Sequence, residues 1–523
     1  MNLLLELLIL TVLLTSQGNP VASDATMTET QDHRSDEATT VVIEENNEAA
    51  MAVPVGLVGS RAFENQYEDL IIVGEVINNT DAPLQAVKVV ATLYDGQEKI
   101  VSTESSYTRM DYIPAGGKAP FSIRVSESDG FETYTIVTEA SDREPYKQAV
   151  EIIHSRAVID QYDNLYVVGE IQNPYDEPIE STEVIATLYD EAGNIVNTDS
   201  GYININAVMP GGKAPFTIYA SDFEGFATYQ LNAEASIGEP PEQTVTMVTS
   251  RAFVDDYGTL QIVGEVQNDN DDPIRSIGVI ASLYNNDDEI VFVESGYVLA
   301  DIVEPGEKAP FTIRVNEYEN YETYALFTSS YTADEVPPSV TVTTSSIVET
   351  DSGTLYIIGL AENETDSPLE YSRIIATLYD ASGEIVNVGS TSTELGIVPV
   401  GGYSPFSIYI DGYEGLDEFT LMTEARVADE VIDHALEVTD SRSYVDDFGT
   451  PRIVGEVENT GDSAASRVRV IASLYDADGN LIAVESTYTE LDSIESGSTS
   501  PFELVSYNLE TEIDSYELLL ESR

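Results

Sequence analysis

Val87-Lys-Val-Val-Ala-Thr-Leu-Tyr94 places Val87, Val89, Ala91 and Leu93 on one side of an extended chain and Lys88, Val90, Thr92 and Tyr94 on the other. Alternation over eight residues predicts a strand with one face turned to a core. The pattern returns near the carboxy terminus, where Val468, Val470, Ala472 and Leu474 alternate with Arg467, Arg469, Ile471 and Ser473. Its Tyr recurs at Tyr94, Tyr189, Tyr284, Tyr379 and Tyr475, spaced 95, 95, 95 and 96 residues apart.

Three further markers keep this period. A Val-Gly-Glu-Val run is centred on Gly74, Gly264 and Gly455, copy 2 has Val-Gly-Glu-Ile at Gly169, and copy 4 has Leu-Ala after Gly359 instead. The Phe of [Ala/Ser]-Pro-Phe falls at Phe121, Phe216, Phe311, Phe406 and Phe502. A Ser-Arg pair stands at Ser60, Ser155, Ser250 and Ser441, with Ser345-Ser346 in copy 4. A period near 95 is too long for a solenoid unit and suits a small domain with its own core. The expected organisation is a signal-like segment at 1–23, an acidic leader at 24–50, and copies at 51–145, 146–240, 241–335, 336–431 and 432–523. Junctions are short and two carry Pro-Pro, at Pro240 and Pro337, which stiffens the connection.

Other strands of copy 1 are expected at Leu70–Val76, Lys99–Glu104, Phe121–Val125, Tyr134–Ala140 and Ala149–Ser155, the last opening copy 2. Turn signals separate them at Asn78–Pro83, Asp95-Gly96 and Pro114–Gly117. No stretch carries a helical period. The fold expected is all-β: five tandem immunoglobulin-like antiparallel β-sandwich domains.

Gly-Glu-Val-x-Asn, then Val-x-Val-[Val/Ile]-Ala-[Thr/Ser]-Leu-Tyr-Asp, then a Gly-containing turn and Pro-Phe, resembles the FxLYD domain. The family's Phe position is Ala here (Ala91, Ala186, Ala281, Ala376, Ala472), and copy 3 has Asn285 in place of the Asp. The resemblance covers Met51–Arg523. It implies immunoglobulin-like sandwiches in a secreted or envelope protein of a prokaryote, with no catalytic residues to assign.

The 523 residues carry 94 acids against 22 basic residues, a net charge of −72, with no Cys, no Trp and 3 His. Such a charge excludes ordinary nucleic-acid binding and opposes anionic membrane surfaces. Without Cys there are no disulfides, thiolate metal sites or Cys nucleophiles. Eight acids and one Arg lie in Asp24–Ala50 and Glu6 adds one acid, leaving −64 spread over Met51–Arg523. An even load on every copy, with 6 Lys and 16 Arg, fits the surface of a protein from a salt-loving prokaryote. In about 1 M salt the Debye length is only about 3 Å, so surface carboxylates hardly repel.

Leu3–Leu14 is an apolar run broken by Glu6 and Thr11, followed by Val21-Ala22-Ser23 as a cleavage candidate. It resembles a secretory signal peptide and is too short to span a bilayer comfortably. The mature chain is therefore expected to be secreted or held at the cell surface, with no membrane span.

Candidate chemistry is sparse. Asp476, Asp478 and Asn480 resemble the start of an EF-hand loop and form the one candidate Ca²⁺ site, while a tight hairpin turn explains the same residues. Asn78 and Asn363 lie in glycosylation sequons, yet Asn occupies that repeat position in all five copies, as an Asx-type turn would require. Lys118, Lys213 and Lys308 recur before Ala-Pro-Phe and read as edge-strand charges. His33, His154 and His434 occupy unrelated positions, and no catalytic triad or phosphate loop appears. The reading is non-enzymatic and needs no cofactor beyond the Ca²⁺ candidate. Five sandwiches end to end would span about 170 Å. They would serve as a structural spacer or adhesion scaffold whose partners are other surface or envelope proteins. The alternative is a module that binds divalent cations or a cationic partner.

Overall fold

The computed structural model describes residues 53–522 apart from 66, 127, 142, 242, 351–353, 411–414, 430–434 and 507–511. The signal-like segment, the acidic leader, His33, His434 and the boundary between copies 4 and 5 lie outside the described residues. Every regular element among the described residues is a β-strand. In copy 1 these are β1 (Val55–Glu64), β2 (Leu70–Asn78), β3 (Lys88–Tyr94), β4 (Ile100–Tyr107), β5 (Lys118–Val125) and β6 (Thr133–Glu139). They form two antiparallel sheets, ordered β1-β2-β5 and β4-β3-β6.

The two sheets close on one core. Leu70, Ile72 and Val76 of β2 and Phe121, Ile123 and Val125 of β5 meet Val89, Ala91 and Leu93 of β3 in a single buried cluster. Inward side chains of two facing sheets interdigitating in this way make a β-sandwich. Counterpart clusters form around Phe216, Phe406 and Phe502. The chain divides into two compact units. One runs through Pro240 and includes Asp287–Val293; the other comprises Pro241–Asn286 and Glu294–Arg523.

Two sequence markers turn out to be one contact. Gly74 lies opposite Phe121 in the β2–β5 ladder. A Cβ on Gly74 would sit 2.4 Å from Phe121 Cζ and 2.6 Å from the Gly59 carbonyl. The same clash awaits a side chain at Gly169, Gly264, Gly359 or Gly455, each against its own copy's Phe. The Ser of the Ser-Arg marker ties the sheets together: Ser60, Ser155, Ser250 and Ser441 share a hydrogen bond with Tyr134, Tyr229, Tyr324 and Tyr516 at 2.9–3.1 Å. Copy 4 has Phe419 where the others have that Tyr.

Three expectations differ in detail. The strand expected at Ala149–Ser155 is broken: Gln148–Ala149 pairs with Thr228–Ile237, and Glu151–Ile159 pairs with Leu165–Gln172. The chain changes sheets there and buries Val150 in the core between them. The positive φ in the hairpin after Tyr94 belongs to Glu98, at 58°, and not to Gly96.

 The counterparts of Glu98, which are Gly193, Asp288, Gly383 and Gly479, also have φ between 59° and 81°. The turn therefore requires a left-handed residue three places after its Asp, or after Asn285 in copy 3. Finally, strand alternation predicts a solvent-facing side for β2, yet Val73 and Glu75 on that side are buried. What covers them is the next copy.

Candidate interaction site at the junctions between copies

The hydroxyl of Tyr189, last residue of the Leu-Tyr strand in copy 2, donates to Glu75 Oε1 of copy 1 at 2.7 Å. In the second unit Tyr379 of copy 4 donates to Glu265 Oε1 of copy 3 at 2.6 Å. Each Glu is nearly inaccessible and has a Lys of its own copy nearby, Lys118 Nζ at 3.6 Å from Glu75 and Lys308 Nζ at 3.8 Å from Glu265. These Lys residues thus balance a buried carboxylate, a role their place at a strand start does not announce. Burial, then the hydrogen bond it donates to the neighbouring carboxylate, raises the Tyr379 phenol to about 12 and pushes Tyr189 up as well. Both phenols stay protonated and donate.

Copy 4 departs from the pattern at two positions together. Leu360 replaces the Glu and Tyr403 replaces the Lys. The acid now comes from the following copy: Glu517 Oε2 accepts from Tyr403 at 2.8 Å and from Tyr475 at 3.3 Å. The phenol–carboxylate contact survives with its parts redistributed. This compensation is the sequence signal for the site, since Leu360 and Tyr403 are exceptions in the same copy.

A second contact caps a loop of the preceding copy. Glu234 accepts from the Asp111 and Tyr112 amides at 2.8–3.0 Å, Glu424 from the Asp301 amide at 2.7 Å, and Glu521 from the Gly396 amide at 2.6 Å. A cation completes each of these three contacts. Arg373 binds Glu424 at 3.0 Å and reaches the Leu299 carbonyl, and Arg469 pairs with Glu394. In copy 2 that position is Glu183, and Lys147 from the connecting segment supplies the charge, 2.9 Å from Glu234, 3.3 Å from Asp111 and 3.6 Å from Glu183. Burial alone would lower the Lys147 pKa, but its hydrogen bond to Glu234 and the adjacent acids raise it, so it is fully charged. Between copies 3 and 4 a cleft of about 610 Å³ remains, lined by Glu265, Glu304, Glu307, Lys308, Tyr379 and Glu424 among others.

The residues singled out as candidate ligands serve local turns. Asp476 Oδ1 accepts from the Asp478 and Asn480 amides at 3.0 and 2.8 Å, and its Oδ2 from Asn480 Nδ2 at 3.0 Å. These bonds, led by the one from the Asn480 side chain, lower the Asp476 pKa. Among the described residues no group of three His, Asp or Glu side chains is placed to hold a metal ion. Asn78 is buried, and its Nδ2 donates to the carbonyls of Ala82, Ile113 and Pro114 at 2.8–3.1 Å. Asn363 Nδ2 donates likewise to Ser367 and Val398. The atom a glycan would join is spent inside the folded domain. The sequon Thr80 and Thr365 have a turn role, each donating its hydroxyl to the Asn Oδ1 at 2.7 Å.

No family model matches the chain, and no curated protein matches it. Among solved structures the chain is similar to the exo-chitosanase CsxA of Amycolatopsis orientalis, at 12% identity and a TM-score of 0.14, covering 54% of this chain and 26% of that one. It is also similar to Escherichia coli alpha-2-macroglobulin activated by porcine elastase, at 10% identity and a TM-score of 0.11, covering 87% of this chain and 51% of that one. The chain thus spans about a quarter of the first protein and half of the second. Likenesses of this size say nothing about what this chain does.

Proposed function

We propose that the chain is a non-enzymatic spacer or interaction scaffold, built of five FxLYD-type sandwich domains and displayed at or beyond the cell surface in a high-salt environment. The observation that carries this reading is the junction chemistry. The phenol–carboxylate contact is built twice in one form and once with its parts exchanged, as expected where a fixed relation between neighbouring domains is itself what matters. Each such bond is charge-assisted, and those to Glu75 and Glu265 are partly buried, which makes them stronger than a neutral surface contact. The even acidic load supports solvation of a long surface in concentrated salt. Limited proteolysis of intact source cells, followed by mass spectrometry, tests the location. The reading expects fragments of Val55–Glu521 to be released from intact cells or found in the medium, and fails if the chain is protected until lysis.

A second reading, a module for a divalent cation or a cationic partner, is favoured by the acid-lined cleft between copies 3 and 4. Calorimetry with Ca²⁺ in molar KCl separates the two: saturable heat supports the second reading, and none above the salt background supports the first.

A further inference from the structure

The first and last copies carry, on opposite faces, the halves of the contact that joins copies within each unit. On copy 1, the face that its counterparts turn to the preceding copy is uncovered among the described residues. Ile100 there is 59% exposed, whereas its counterparts Ile385 and Leu481 are buried. On copy 5, the face that its counterparts turn to the following copy is also uncovered. Glu456 is exposed, whereas Glu75 and Glu265 are buried, and Leu491 is 49% exposed, whereas Met110, Ala300 and Leu395 are buried.

The groups on these faces match pair by pair. Tyr94 is the counterpart of Tyr189 and Tyr379, and Glu456 of the carboxylates they bind, Glu75 and Glu265. Exposed Glu139 is the counterpart of Glu234, Glu424 and Glu521, and the Asp492 amide of the amides they cap. Lys88 is the counterpart of Arg373 and Arg469, and exposed Glu490 of Glu394, the acid that Arg469 binds. In a chain of −72 with only 6 Lys, a Lys at this face opposite a Glu is specific complementarity. Thr499 stands where copies 1 and 3 place the balancing Lys, so Glu456 relies on the incoming hydroxyl alone.

We infer that the chain associates head to tail with a second copy of itself, the Tyr94–Lys88–Glu139 face of one molecule docking on the Glu456–Glu490–Asp492 face of the next. Such an interface is heterologous and leaves a free face at each end, so it propagates unless a ring closes. The inference goes beyond the spacer reading and does not depend on it: a surface spacer can be monomeric, and a self-associating chain need not be at a surface.

Sedimentation velocity of the full-length protein between about 1 μM and 1 mM, the range of weak interfaces, tests it. The average mass is expected to rise with concentration above the 57.0 kDa of one chain. Lys88→Glu and Glu490→Lys, both checked for folding by circular dichroism, should each weaken association about tenfold or more at the lowest salt that keeps the wild type fully folded, where charges are least screened. An equimolar mixture of the two variants pairs each altered face with its complement and should restore association. A wild-type protein that stays at the mass of one chain overturns the inference. So does association that the single variants leave unchanged, or that the mixture fails to restore.

Discussion

The Gly–Phe contact inside each sandwich fixes two residue types at once. In copy 4 a Cβ on Gly359 would lie 2.4 Å from both Phe406 Cζ and the Thr344 carbonyl. Neither the ring in a filled core nor the backbone can yield freely, so Gly359→Ala should cost about 1–3 kcal/mol through overpacking. Phe406→Ala, which empties the same site, should cost about 3–5 kcal/mol. Chemical denaturation followed by the tyrosine signal would read both losses. Glu98 holds a φ of 58° where three of its counterparts are Gly. Glu98→Gly should therefore stabilise copy 1 by about 1 kcal/mol, since a side chain in the left-handed region carries that strain. A fall in the unfolding midpoint would contradict it. The glycines and phenylalanines were legible in the sequence as markers, because they recur in register. Their contact was not, because nothing in a linear pattern says that residues 47 apart face each other across a ladder.

Strands announce their inner faces more clearly than their outer ones. The alternation of β2 and β3 located the core, and the buried cluster around Phe121 follows it. The outer face of β2 carries Glu75, a residue type that signals exposure when a copy is considered alone. Its burial comes from the neighbouring copy, and the paired exceptions Leu360 and Tyr403 were the only local hint. At this scale Lys147→Met should destabilise the junction of copies 1 and 2 by about 3 kcal/mol, since three carboxylates lose their shared cation. Thermal unfolding of the variant would show it, and an unchanged profile would argue against the buried ion cluster. The junction faces also set a pH dependence. Burial pushes Asp199 up to about 6, and raises Glu234, Glu424 and Glu485. The folded state thus holds these protons more tightly than the unfolded chain does. Stability should rise as pH falls through about 6 toward the ordinary carboxylate range, and be lower at neutral pH. The turn carboxylates such as Asp476 act in the opposite sense, but only below their ordinary 3.8 and in exposed positions. A melting temperature lower at pH about 5 than at pH about 7.5, at constant salt, would contradict this balance.

At the scale of the whole molecule, the repeat is the feature the sequence displayed best, and the antiparallel sandwiches follow it strand for strand through most of the chain. Charge was legible as a total and only partly as a placement. Most acids solvate the surface, while Glu75, Glu234 and Glu265 are buried and bind the neighbouring copy. The surface majority should make the fold depend on salt: circular dichroism is expected to show full β-structure in about 2 M KCl and partial loss at about 0.05 M, where carboxylates are poorly screened. Full structure at low salt without divalent ions would remove the high-salt part of the account. Its central claim is that neighbouring copies within each unit are held in a fixed relation by the phenol–carboxylate contact. Hydrogen exchange of the full-length protein, wild type against Tyr379→Phe, tests this most directly. Loss of the hydroxyl leaves the nearly inaccessible Glu265 short of a partner. The account predicts faster exchange on both sides of the junction, in Leu260–Gln267 of copy 3 and in Leu369–Asp380 of copy 4. Exchange that changes in copy 4 alone, or in neither strand, would contradict it.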